Sequence, residues 1–220
     1  MARRRRSARK DPERTRHCIV EATVALHEEV GPAATTIRAI AERAGVQRLT
    51  VYRHFPDERG IIGACSAHWS AAHPLPDATR WAGLEDPAAR VRAALSAVYA
   101  YYRGGAPMLE KVLRDEAEVP ALAEVMTPYH AWFRELAGQL GAGWGVGGEM
   151  QRRVRAAVGH ALRFETWRSL VAEGLSDDQA AALMTELATC AARRGAGPTL
   201  DAPAAGADDD AEAEGNDADA

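Results

Sequence analysis

The sequence predicts an all-α protein, with three short helices at its N-terminus followed by a larger helical domain. Two observations carry that expectation. Between about residues 12 and 196 the chain is rich in Ala, Leu, Val, Arg and Glu, and no stretch alternates apolar and polar residues over several steps, as a half-buried strand would. Helix punctuation recurs through the same span: Asp86-Pro87 is a start pair, and Ser176 with Gln179 is a capping-box pattern just after Gly174. Further starts are read at Asp57, at a break over Gly104-Gly105-Ala106-Pro107, and at Pro120, while the glycine-dense stretch 141–148 reads as a loop between two long helices.

Composition bounds the function classes. A chain of 220 residues with 47% hydrophobic and 26% charged residues has the makings of a globular protein with a real core. Three cysteines, Cys18, Cys65 and Cys190, without a CxxC pair suggest neither a disulfide framework nor a cysteine zinc site, and an intracellular, reducing compartment fits them best. No apolar run approaches the roughly 18 residues of a membrane span, so a cytoplasmic protein with no membrane partner is expected. The net charge of −4 conceals an asymmetry. Residues 1–16 hold eight basic and two acidic groups, whereas residues 201–220 hold eight acidic groups and no basic one. The basic start suits contact with a polyanion, and the acidic end reads as a solvated tail.

Residues 35–55 carry the functional signal. Ile37, Ile40, Ala41 and Ala44 fall at helical spacing behind a cap at Thr35 or Thr36. Gly45 supplies the backbone freedom of a tight turn, and Val46, Val51, Tyr52 and Phe55 anchor a second short helix on the first. This is a helix-turn-helix. Arg48, Leu49, Thr50 and Arg53 are left on the outer side of the second helix, where base edges in a major groove are reached: the arginines suit guanine, and Leu49 or Thr50 a thymine methyl.

With Ile19, Ala22 and Leu26 of a preceding helix, Gly31, Thr35-Thr36-Ile37, Ile40-Ala41, Ala44-Gly45-Val46 and Tyr52-Arg53-His54-Phe55-Pro56, the chain resembles the TetR family of transcriptional regulators over about residues 15–65. The resemblance implies that Thr36, Gln47, Tyr52 and His54 contact phosphates and that Arg48, Leu49, Thr50 and Arg53 face bases; Arg38 joins this DNA-binding set. Two positions depart from the family pattern: Leu49 stands where a small residue is usual, and Glu58 where Lys is frequent. The organisation expected is a basic disordered arm over 1–12, the DNA-binding domain over 13–60, an effector-binding and dimerisation domain over 61–196, and an acidic disordered tail over 197–220.

Beyond residue 67 the resemblance weakens. The stretch Val158 to Leu170 looks like the penultimate helix of such regulators, with Val154, Val158, Ala161 and Leu162 on one face and Phe164, Trp167 and Val171 on another. Val158 and Leu162, with Ala180, Leu183, Met184 and Leu187 of the last helix, are the candidates for pairing with a second copy as a four-helix bundle. Candidates for lining an effector pocket are Tyr102, Met126, Tyr129, Trp132, Phe133, His160, Phe164 and Trp167, with Pro128 expected to kink its helix beside them.

Enzyme signals are absent or out of context. Gly143-Trp144-Gly145-Val146-Gly147-Gly148 satisfies GxGxxG but follows no predicted strand, and the histidines lack metal-ligand spacing. No catalytic residue, cofactor or metal is expected. The function that follows is a homodimeric regulator, a repressor released from an inverted-repeat operator in double-stranded DNA by a small apolar effector. The rivals are a helical small-molecule binding protein or enzyme on the same scaffold without specific DNA binding, and, within the regulator class, an activator. Thiol-based sensing through a cysteine is a further reading.

Overall fold

The computed structural model describes residues 11–193. The basic arm up to residue 10 and the acidic tail lie outside the described residues. Ten helices and no strand occur among those described: α1 (Pro12–Glu29), α2 (Ile37–Ala44), α3 (Arg48–His54), α4 (Glu58–Ala72), α5 (Thr79–Ala82), α6 (Pro87–Asp115), α7 (Pro120–Leu140), α8 (Gly148–Ala161), α9 (Phe164–Ala172) and α10 (Asp177–Ala192). None of them is long and apolar enough to cross a membrane.

The predicted starts are built from side chains that satisfy the free N–H groups of a first turn. The Asp57 carboxylate accepts from the Gly60 N–H at 2.7 Å, and Asp86 accepts from Ala88 and Ala89. Ser176 and Gln179 form a reciprocal capping box, while α1 and α7 begin on Pro12 and Pro120. The glycine-dense stretch is the connection between α7 and α8, and the GxGxxG pattern lies within it.

Two expectations are corrected. The chain does not break at Gly104–Pro107: α6 runs unbroken through it. Gly105 is buried there, and a Cβ on it would come to 2.8 Å of the Trp69 ring, so the small residue admits a neighbouring indole rather than ending the helix. Conversely, the stretch read as one helix around Val158 to Leu170 is two helices, parted at Leu162 and Arg163, the latter extended. The carbonyls freed at the end of α8 are taken up from α6: the Tyr99 hydroxyl donates to Ala161 at 2.8 Å and the Tyr102 hydroxyl donates to Leu162. The Thr166 hydroxyl donates to the His160 carbonyl at 2.7 Å.

α1, α2 and α3 form the N-terminal unit, with α4 packed on α1 and leading into the second unit, where α10 packs against α6 and α8. One apolar core runs through both, from Ile19, Ile40 and Val51 through Leu95 and Val98 to Val158 and Met184. Tyr102 sits at its aromatic centre, 1% exposed, with Phe133, Phe164 and Trp167 within 5.8 Å of its ring centroid. Tyr102→Phe keeps this packing and leaves the Leu162 carbonyl buried without its donor; a loss of about 1–3 kcal/mol in urea unfolding is expected.

Candidate functional site

The N-terminal unit presents a short helix to solvent on a firm base. Thr36 caps α2, its hydroxyl accepting from the Ala39 N–H at 3.1 Å. Gly45 closes α2 in the left-handed conformation, φ +66°, and the Val46 N–H reaches back to the Ala41 carbonyl at 3.0 Å. The turn thereby aims α3 across α2. Val51 and Phe55, 0% and 3% exposed, hold α3 down. A bidentate Arg43–Glu29 pair at 2.6 Å braces α2 against α1.

The outer side of α3 carries the residues expected of a base reader. Arg48, Leu49, Tyr52 and Arg53 are exposed, Leu49 to 68%, while Thr50 and His54 are half-buried. Arg48 and Arg53 have no ion-pair partner among the described residues; Arg53 donates to the Thr50 hydroxyl at 3.2 Å, which fixes its start without neutralising it. Gln47, Thr50, Arg53 and His54 line a groove that they share with Pro12 and Thr15 of α1. Thr36 and Arg38 stand at the start of α2, where Arg38 pairs with Glu42 at 2.8 Å. At the start of α4, exposed Glu58 places negative charge, and Arg59 turns away to Glu124 of α7 at 3.1 Å.

The link between the two units is a buried carboxylate. Asp115, at the end of α6, accepts from the Ala33 N–H at 3.1 Å and from the Arg114 guanidinium, while Arg114 also donates to the Val30 carbonyl. Burial works against its charge, but the Arg114 and Ala33 hydrogen bonds hold the carboxyl below the usual carboxylate range. The α1–α2 loop is thus tied to the second unit.

Behind this link lies a cavity of about 370 Å³ between α4, α6 and α7, reached by His27 of α1. Its size is that of a small-molecule site. Of the pocket residues expected, Met126 and Tyr129 line it, as does Pro128. Tyr102, Phe133, Phe164 and Trp167 instead stack on one another in the adjoining core. Trp132 meets Phe133 edge-on, and His160 is exposed. The lining missed by sequence reading includes Cys65, Ser66, Trp69 and Ser70 on one face of α4 with His73 at its C-cap, besides His27 and apolar residues of α6 and α7. The α4 spacing of three and four residues is a stripe that a helical projection would have shown.

Four titratable groups of the lining, His27, Cys65, Tyr101 and Tyr129, are uncharged near neutrality. Burial depresses His27 to about 4, against the opposing pull of Asp115, and its Nδ1 lies 3.4 Å from the Cys65 sulfur. Burial also pushes the Cys65 thiol up to about 12, with the charge of Glu28 adding to it. Thiolate is therefore scarce at Cys65, which argues against it as a reactive sensor. Tyr101 is pushed up to about 12 and Tyr129 higher still, both by burial first.

Of the residues expected to pair two copies, Val158, Leu162, Ala180 and Met184 are buried within the chain itself, where α10 meets α6 and α8. Leu183 and Leu187 are 38% and 50% exposed, one turn apart on α10.

Comparison with known proteins places this geometry. Residues 19–65 match the family model described as bacterial regulatory proteins, tetR family. The HTH-type transcriptional regulator BetI of Burkholderia cenocepacia is 29% identical over 97 residues, 42% of this chain and 48% of that protein; the match spans about half the length of that curated relative. Among solved structures, a TetR-like transcriptional regulator from Rhodococcus sp. RHA1 aligns with TM-score 0.58 at 18% identity, covering 79% of this chain and 93% of that one. NalD, the secondary repressor of the MexAB-OprM multidrug efflux pump in Pseudomonas aeruginosa, aligns with TM-score 0.54 at 20% identity, covering 82% and 97%. Those structures share the all-α architecture. Over residues 19–65 the chain thus carries an N-terminal helix-turn-helix domain that matches the family of tetR bacterial regulatory proteins.

Proposed function

We propose that this protein is a homodimeric, DNA-binding transcriptional repressor that leaves an inverted-repeat operator when a small molecule occupies the cavity between α4, α6 and α7. The observation that carries the reading is the face of α3: two arginines without ion-pair partners among the described residues, an exposed leucine and a tyrosine, on a helix anchored by Val51 and Phe55. Basic side chains near the start of such a helix reach base edges, and the phosphate contacts flanking them set its register. A single head reads only half of a palindrome, so a second copy is needed. Leu183 and Leu187 offer an apolar stripe for it on α10. Effector and operator then compete through one equilibrium between head spacings.

The test is fluorescence anisotropy at near-physiological salt with the DNA flanking the protein's own gene and with scrambled DNA. Selective binding with two subunits per palindrome supports the reading; equally weak binding to both, persisting at low salt, sinks it. Within that assay Arg48→Ala is expected to lose about 1–3 kcal/mol on the operator and to relax base preference, whereas Tyr52→Phe weakens all sequences about equally. Equal losses for Arg48→Ala on operator and scrambled DNA would remove it from the base readers.

A further inference from the structure

The cavity's lining defines the chemistry of what it takes. No Asp, Glu, Lys or Arg contributes to it. Buried Met108, Leu109, Val112, Leu122 and Met126 form its inner part, while exposed Ser70 and half-buried Ser66 and His73, on one stripe of α4, supply polar groups toward solvent. The His73 Nδ1–H donates to the Trp69 carbonyl at 3.2 Å, which leaves Nε2 for another partner. A charged group brought into such a space gives up its hydration and meets no counter-ion.

Neither sign of charge finds a carboxylate, guanidinium or ammonium partner in the lining itself. Asp115 is engaged by Arg114 and the Ala33 N–H, and Glu116 by the His130 Nε2 at 2.8 Å, while Glu28 and Glu165, whose charges reach Cys65 and Tyr129, lie outside the lining. Two of the lining rings already pack against other rings. His73 stacks on Trp69 at 4.4 Å and 11°, and Phe133 lies 4.7 Å from Tyr129. For an anion there is no guanidinium or ammonium in the lining, and His27 stays neutral because it is buried.

Resting on the effector reading above, we infer that the cavity's ligand is an uncharged amphiphile, with its apolar body between Met108, Val112, Leu122 and Met126 and a neutral hydroxyl or carbonyl end at the Ser66, Ser70 and His73 stripe of α4. The α4 stripe sets specificity: it offers hydroxyl and imidazole groups to one neutral polar end, and the inner residues accept chain or ring carbon without polar atoms.

The experiment uses the full chain and three matched probe series: straight-chain alcohols from hexanol to dodecanol, and the carboxylates and primary alkylammonium ions of the same lengths. Binding is followed by intrinsic tryptophan fluorescence and by calorimetry, with DNA release measured separately. An alcohol of intermediate length is expected to bind best, with its carboxylate and ammonium counterparts at least about tenfold weaker. Ser66→Trp, at the polar end, and Val125→Phe, on α7, each narrow the cavity and are expected to weaken the alcohol about tenfold or more while circular dichroism stays unchanged. A carboxylate or an ammonium that matches its alcohol overturns the inference. So does absence of alcohol binding, or binding that neither folded variant alters. Alcohol binding with the stated selectivity but without release from DNA supports the ligand class and counts against the effector role alone.

Discussion

Gly31→Ala is expected to destabilise the protein by about 3 kcal/mol and to weaken DNA binding with it, the joint outcome of a left-handed backbone and an overlap in the buried link. Gly31 has φ +94°, and a Cβ there would overlap the Asp115 carboxylate and the Arg114 guanidinium. Those are the groups that tie the α1–α2 loop to α6. Gly45→Ala is the matched control. Its φ is +66° but nothing lies within 4 Å of an added Cβ, so only the conformational part, about 1 kcal/mol, should appear. Urea unfolding of both variants measures the difference. Equal losses would mean that Asp115 and Arg114 move aside freely, and that the link is soft.

The second large effect is a pH dependence. His27 has a folded pKa depressed from 6.5 to about 4, so the unfolded chain takes up its proton first as pH falls. Stability from this group is therefore complete above 6.5, declines between 6.5 and about 4, and is gone below. The shift corresponds to about 3 kcal/mol. Comparing unfolding free energies at the two ends of that window, the native chain should lose about 3 kcal/mol more than His27→Gln, which carries no titrating group there. Asp115, also held below its ordinary value, loses its contribution only at still lower pH, through the carboxylate range, so the two windows are separable. A variant with the same slope as the native chain would show that the buried imidazole is not responsible.

Local hydrogen bonding explains which elements are legible in the sequence. Asp57, Asp86 and Ser176 each satisfy backbone N–H groups within three residues, so the signal and the structure lie in the same few residues. The helix-turn-helix is equally local. Gly45 and the anchors Val51 and Phe55 sit within one short segment, and their spacing leaves Arg48, Leu49 and Arg53 facing outward.

Elsewhere the deciding neighbour lies far along the chain. Gly104 to Pro107 carries every mark of a break, yet α6 continues through it, and Gly105 is the position where the Trp69 ring packs against the helix. Leu162 and Arg163 carry no such mark, and the chain parts there where Tyr99 and Tyr102, some sixty residues earlier, take up the freed carbonyls. The cavity follows the same logic. Aromatic content points to Phe133, Phe164 and Trp167, but those rings stack into core, and the open space falls beside the α4 stripe and His27. A periodic apolar stripe states that a face is covered without saying by what: Val158 and Met184 are covered by their own chain, Leu183 and Leu187 are left bare. Residue spacing thus specified the all-helical class, the capped helix starts and the helix-turn-helix, because the forces there act over one or two turns. The course of α6, the α8–α9 break and the place of the cavity depended on packing between segments distant in the chain, which spacing along a single helix does not encode.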